Sequence, residues 1–186
     1  MRIIRFADLV ETPWKNGGGI TRTIAADTRG EATLWRLSMA DVAEGGPFSS
    51  FAGLMRVLTV IDGTGMVLHG PDGDLAADFA RPVTFDGATS ITASLGAGPV
   101  RDLNLMYDPA AVSAEVVVLD GAGDGREPGT PDLGFVLCIR GAVELPEGKS
   151  LAPGDSVLLE GALPALRLGQ DAIALTIRLR FNPEAG

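Results

Sequence analysis

A chain of 186 residues can bury a sizeable core, as one compact domain or as two small fused ones. It is 46% hydrophobic with a mean hydropathy of +0.23, and charges or glycines interrupt every apolar run short of the roughly 18 residues that a membrane helix needs. A formal charge of −9 argues against nucleic acid, whose binding depends on neutralising phosphates with Lys and Arg.

The charge is unevenly spread. Residues 1–60 hold seven Lys or Arg against six Asp or Glu, whereas residues 61–186 hold eight against eighteen. Most of the excess acid is therefore solubilising surface, and attraction for a small anion resides in the N-terminal third. The opening Met1-Arg2-Ile3-Ile4-Arg5-Phe6 lacks the apolar core and cleavage site of a secretory signal. The single cysteine, Cys138, makes no intramolecular disulfide and reads as a buried apolar filler. Both features point to the cytoplasm.

In chain order, the first segment that carries chemistry is Pro13-Trp14-Lys15-Asn16-Gly17-Gly18-Gly19-Ile20-Thr21-Arg22. Pro13 fixes the entry backbone, while the glycines permit positive φ and bring main-chain N–H groups close to whatever lies above them. The segment is either a plain turn or, given Trp14, Lys15, Asn16 and Arg22, an anion or carboxylate site. It is not a nucleotide loop, because the glycines lead into the β-branched strand Ile20-Thr21-Arg22-Thr23-Ile24 and not into Lys-Ser/Thr and a helix.

Strands follow at 32–40, 55–61, 66–69, 83–85, 90–95 and 101–106, separated by Gly, Pro and Asp turns. Gly63-Thr64-Gly65 reads as a hairpin turn, and His69 as a strand-end residue. The second half continues with strands at 115–119, 135–140, 142–145, 156–159, 165–168 and 172–181, and a flexible surface loop over 120–131. Helical periodicity is scarce, so the class is all-β.

The halves echo each other. Strand, Asp62-Gly63 turn and strand recur around Arg140-Gly141; 82–87 is answered by 155–161; Leu95-Gly96 and Leu168-Gly169 each precede a long last strand. A tandem duplication of jelly-roll barrels accounts for this, with halves at 1–108 and 109–186 and the pocket in the first.

At this point the chain resembles the HutD/Ves family. The residues carrying the resemblance are the 13–22 segment, Trp35-Arg36-Leu37-Ser38-Met39-Ala40, Gly46-Pro47-Phe48-Ser49-Ser50-Phe51, and Phe85-Asp86-Gly87 followed by Gly98-Pro99-Val100-Arg101-Asp102-Leu103-Asn104-Leu105-Met106. The blocks span 13–106 in order; the second half is similar only in its general cupin pattern. The resemblance implies a bicupin fold, two tandem cupin β-barrels in one compact chain. It also implies an association with histidine utilisation and a small-molecule binding role.

A metal-binding cupin needs two or three His and a Glu at close spacing; here His69 stands alone, so neither a metal nor another cofactor is expected. The same shortage removes Ser-His and Cys-His nucleophiles. Strand alternation sets Arg36 and Ser38 opposite Trp35, Leu37 and Met39, and sets Asp102, Asn104 and Met106 opposite Leu103 and Leu105. By themselves these polar faces read as solvent faces; with the resemblance they become pocket lining. Asp102 is then placed to pair with Arg36 or Arg22 and orient a guanidinium, while Asn104 offers both a donor and an acceptor. Phe48 and Ser49, with Phe51, read either as a plug packing on the barrel end or as the rim of a pocket whose rings flank a flat ligand, and Arg56 opens an apolar strand, where a charge needs a partner or a ligand.

The expected ligand is a small carboxylate metabolite of histidine catabolism, urocanate-like or formylglutamate-like, which the protein senses or buffers. Lys15 and Arg22 would hold the carboxylate, helped by Asn16 and the glycine amides, with Arg36 and Arg56 adding charge and Ser38 and Asn104 reading polar groups. No nucleic acid or membrane partner is expected, and a homodimer is compatible with this picture. Two alternatives stay open. One is a metal-independent isomerase or lyase with a buried Lys15 as base or Schiff-base nucleophile. The other is a partner-binding β module, marked by a large exposed apolar patch.

Overall fold

The computed structural model describes residues 1–121, 131–162 and 164–182, so most of the loop expected over 120–131 lies outside the described residues. The described residues form eighteen strands: Arg2–Ile4 (β1), Glu11–Pro13 (β2), Gly19–Arg29 (β3), Ala32–Val42 (β4), Gly46–Pro47 (β5), Met55–Asp62 (β6), Met66–Gly70 (β7), Gly73–Ala77 (β8) and Val83–Asp86 (β9) come first. Thr92–Leu95 (β10), Val100–Tyr107 (β11), Val112–Asp120 (β12), Leu133–Arg140 (β13), Val143–Glu144 (β14), Ser150–Leu151 (β15), Ser156–Glu160 (β16), Arg167–Leu168 (β17) and Ile173–Phe181 (β18) follow. Among the described residues helix is confined to two short 3-10 turns, Phe6–Asp8 and Pro146–Gly148, and none is long and apolar enough to cross a membrane. The fold is of the all-β, cupin-like class.

The chain divides into two compact units. Val10–Val112 carries a six-stranded sheet, β2-β3-β4-β11-β6-β9, and a four-stranded sheet, β5-β10-β7-β8, with antiparallel ladders. Its core draws Ala40, Val42, Leu58, Val60, Phe85 and Val100 from the first sheet and Met66, Leu68, Ala77 and Ala93 from the second. The other unit joins Met1–Leu9 to Ser113–Gly186, with sheets β1-β16-β13-β18-β12 and β15-β14-β17 around Val136, Cys138, Val143, Leu151, Val157 and Ala174.

The duplication is visible in the strand orders. β4-β11-β6-β9 in one unit matches β12-β18-β13-β16 in the other, and β10-β7-β8 matches β17-β14-β15. One expected feature differs. Gly63-Thr64-Gly65 does not close a hairpin, because β6 pairs with β11 and β9 while β7 pairs with β10 and β8. The chain crosses there from one sheet to the other, and Arg140-Gly141 does the same between β13 and β14. Sequence shows a strand–turn–strand in either case; only pairing tells an arch from a hairpin. Each unit is accordingly a pair of facing sheets and not a hydrogen-bonded closed barrel.

The first nine residues do not group with 10–108. β1 pairs with β16, and Asp155 ties the residues after β1 in place. Its carboxylate accepts hydrogen bonds from the Phe6 N–H at 2.9 Å, the Ala152 N–H at 3.1 Å and the Arg5 guanidinium at 2.8 Å. Phe6 packs on Gly154 so closely that a Cβ there would meet its ring at 2.9 Å. Burial pushes Asp155 upward, but these three donors outweigh it and hold the carboxyl below the usual aspartate range.

Candidate functional site

The site is built from three adjacent strands of the Val10–Val112 unit. Across β4, β11 and β6, Met106 pairs with Arg36 and Arg56, Asn104 with Ser38 and Leu58, and Asp102 with Ala40 and Val60. Side chains at every second position share a face, so these rows stack on one side of the sheet. Leu37, Met39, Leu103 and Leu105 take the opposite face and are also buried. The polar face therefore does not meet solvent as the plain alternation suggests: it lines a cavity of about 700 Å³.

Two arginines dominate this cavity. Arg56 is only 4% exposed, and its guanidinium lies 5.0 Å from the ring centroids of Phe48 and Phe85 and 5.5 Å from that of Phe51. Arg36 lies 5.3 Å from the Phe51 ring and directs Nη2 to the Met106 sulfur at 3.3 Å. Ring faces stabilise a guanidinium through its charge and leave the in-plane N–H donors for another acceptor. Arg56 Nε donates to Asn104 Oδ1 at 3.4 Å. Burial lowers both arginines, Arg56 to about 10 with Asp102 opposing the shift and Arg36 adding to it, so both stay cationic at neutral pH.

The one acid among the cavity-lining residues is Asp102, 2% exposed. Burial pushes it up to about 7, against the pull of the Arg56 charge and with help from Asp41. It makes no hydrogen bond to Arg36 or Arg22, contrary to the expected pairing, and its buried Oδ1 has no partner among the described residues. The buried Nε of Arg36 likewise has none.

The rim comes from two segments. Phe48 N–H donates to Ile91 O at 2.8 Å, Phe51 N–H to Gly87 O at 2.7 Å and Gly87 N–H to Leu54 O at 2.7 Å. A Cβ at Gly87 would lie 2.6 Å from the carbonyls of both Leu54 and Phe51, so only glycine lets this turn lock Phe48 and Phe51 over the arginines. The second segment is the loop between the paired strands β2 and β3. Trp14 donates its indole N–H to Thr21 Oγ1 at 2.7 Å and lies over Gly19, where a Cβ would meet the ring at 3.0 Å. Lys15 and Asn16 are exposed at the mouth, as is Ser49 on the opposite rim.

Of the expected site residues, Trp14, Lys15, Asn16, Arg36, Ser38, Phe48, Ser49, Arg56, Asp102 and Asn104 all line this one cavity. Arg22 does not. It pairs with Glu11 and Asp41, and its neighbour across the ladder is Met39, whose face is opposite to that of Ser38. Burial works against its charge, and the hydrogen bonds it donates to Asp41 and Glu11 more than compensate. The glycine amides are also engaged elsewhere: Gly18 N–H donates to Asn16 Oδ1 at 3.1 Å and Gly17 N–H to Trp14 O at 3.1 Å. Phe51, expected at the rim, and Met106, expected on the face of Asn104, also line the cavity, and Thr21, which alternates with Arg22 along β3, is a lining residue that the sequence did not single out.

His69 lies one residue before the end of β7 and bridges Asp74 and Ser94 at 2.8 Å each, apart from the cavity. Among the described residues no three His, Cys, Asp or Glu stand together as a metal-holding group. What the cavity offers is two desolvated cations, a neutralisable acid, amide and hydroxyl groups and several flat apolar walls.

The HutD family model matches residues 6–175. An uncharacterised 21.2 kDa protein in the hutC 3′ region of Pseudomonas putida is 39% identical over 130 residues, 65% of each chain and so just under two thirds of that relative's length. Protein Ves of Cronobacter sakazakii is 32% identical over 172 residues, 89% of this chain and 92% of its own. Among solved structures, HutD from Pseudomonas fluorescens SBW25 (formate condition) is 33% identical and superposes with a TM-score of 0.79 over 97% of this chain and 98% of its own. With the cavity walls drawn from the same blocks that the sequence singled out, and a match spanning nearly the whole chain, this protein belongs to the HutD family.

Proposed function

We propose that the protein binds a small carboxylate metabolite in the Arg36–Arg56 cavity and serves histidine utilisation as a sensor or buffer of that metabolite. The observation that carries this is the pair of guanidiniums flanking Met106 in one row, both desolvated, with a single carboxyl group in the cavity wall. Two cations against one acid favour an anion, and the planar forks of arginine suit a carboxylate. Phe48, Phe51 and Trp14 provide flat walls, as an imidazole acrylate or the chain of a formylated glutamate would require. The association with histidine utilisation is supported by relatives named HutD and hutC 3′ region protein. The cytoplasm is the proposed compartment, and binding is proposed to need no metal.

Calorimetric titration of urocanate and N-formylglutamate tests this. A charge-assisted hydrogen bond contributes roughly 1.5–3 kcal/mol, so Arg36→Gln is expected to weaken binding roughly 10- to 150-fold. Lys15→Ala, exposed at the mouth, is expected to cost less than tenfold. Exhaustive chelation should leave the wild-type affinity unchanged. Wild-type protein that binds neither compound would remove the proposal.

A second reading has one observation behind it. A carboxyl brought to about 7 inside a cavity is tuned for proton transfer, as a metal-independent isomerase or lyase requires. Lys15, by contrast, lies exposed, without the burial that its role as nucleophile presupposes. Solvent deuterium exchange into a bound ligand, lost in Asp102→Asn, would favour the enzyme.

A further inference from the structure

Arg36 Nε is a buried donor and Asp102 Oδ1 a buried acceptor, both in the cavity wall and both without a partner among the described residues. Buried polar groups are nearly always hydrogen-bonded, because their lost hydration is otherwise uncompensated. An open donor and an open acceptor in one cavity therefore describe its occupant, which must bring an acceptor to the first and a donor to the second.

The two groups are well separated. Arg36 stands in the row of Met106, and Asp102 stands four residues further along β11, about 13 Å at about 3.3 Å per residue. Ser38 and Asn104 fill the row between them. An occupant that meets both groups therefore runs from the Met106 row past Ser38 and Asn104 to the Asp102 row. Arg56 acts on Asp102 through its charge, but it donates no hydrogen bond to Asp102 Oδ1, and its Nε serves Asn104.

We infer that the occupant is a carboxylate carrying an N–H donor at its far end, and that Asp102 is the residue that selects it by accepting that hydrogen bond. This rests on the carboxylate-binding proposal and narrows it. A carboxylate of the same outline without the N–H fills the cavity but leaves Asp102 Oδ1 unmatched, and so binds more weakly. Ionised Asp102 is the stronger acceptor, which makes selection sharpest above neutral pH.

The test compares matched probes at pH 8 by calorimetry: urocanate against cinnamate, and N-formylglutamate against 2-formyloxyglutarate, in which an oxygen replaces the N–H. Wild-type protein should prefer the N–H member of at least one pair by tenfold or more. Asp102→Ala should abolish that preference while tightening cinnamate and 2-formyloxyglutarate, from which it removes a like charge at pH 8, and Asp102→Asn, which keeps a carbonyl acceptor, should retain part of the preference. Melting curves of both variants establish that they fold. Equal wild-type affinity within both pairs would overturn the inference and leave the carboxylate proposal standing. A preference that survives in Asp102→Ala would also overturn it. If none of the four binds wild-type protein, the carboxylate proposal falls and the inference with it.

Discussion

Asp102 gives the cavity a charge that depends on pH. The charged groups around it are Arg36, Arg56 and Lys15 in the cavity and Asp41 nearby. Below about 7 its carboxyl is protonated and both guanidiniums act undiminished on an anion; above about 7 its own charge offsets one of them. Cinnamate, an anion throughout this range and free of N–H donors, should therefore bind more weakly as pH rises from 6 to 8. The loss should be of the order of tenfold, for like charges about 13 Å apart at an effective dielectric near 20. Asp102→Asn should flatten the profile; calorimetry across pH reads both. Folding follows the same sign: the raised value makes the contribution of Asp102 to stability greatest below the unfolded carboxyl range near 4 and lost as pH climbs to about 7. At this scale the sequence showed which residues share a face, which is why Ser38, Asn104 and Asp102 could be named together. It did not show Arg22 turned away, because its partner Asp41 is nineteen positions distant and enters through the β3–β4 ladder.

Arg22 is a strut within its sheet. Burial alone would raise Asp41, but hydrogen bonds from Arg101 and Arg22 hold it below its usual range, and Glu11 binds the same guanidinium. Arg22→Ala should destabilise the protein by about 1–3 kcal/mol, since Asp41 keeps Arg101 and Glu11 is largely exposed, and should leave carboxylate affinity within about threefold. Denaturant unfolding and titration of one variant give both numbers. Asp155 does comparable work for the first nine residues. Asp155→Ala removes the acceptor of two backbone N–H groups and of Arg5, and should cost about 2–3 kcal/mol. Because the folded carboxyl is depressed, that stability is present above the unfolded value near 4 and disappears as pH falls further, so wild type and variant should converge in acid. Long strands were legible because alternation and turn residues bracket them. Pieces of two or three residues such as β1, β2, β5 and β15 are too short to show a period, and their existence depends on the partner strand.

The duplicated topology explains why the cavity belongs to one unit. The turns after β6 and β13 align Arg56, Leu58 and Val60 with Gly134, Val136 and Cys138, and the ladders then align Met106, Asn104 and Asp102 with Arg178, Thr176 and Ala174. Where the first unit has a buried acid the second has alanine, and the place of Arg56 is taken by glycine. Cys138 sits in that apolar setting, its thiol pushed by burial up to about 11, which makes it packing and not chemistry. Echoed turns made the duplication readable from sequence, whereas the changed lining of the second copy, which keeps buried Thr176 and Arg178 but has no counterpart of Asp102 or Arg56, follows only from register. The most direct test of the whole account is a crystal structure of the protein grown with urocanate or N-formylglutamate. The carboxylate should lie between Arg36 and Arg56 on the Met106 row, within hydrogen-bonding distance of Arg36 Nε. A ligand bound outside this cavity, or a cavity left holding only water at saturating ligand, would contradict it.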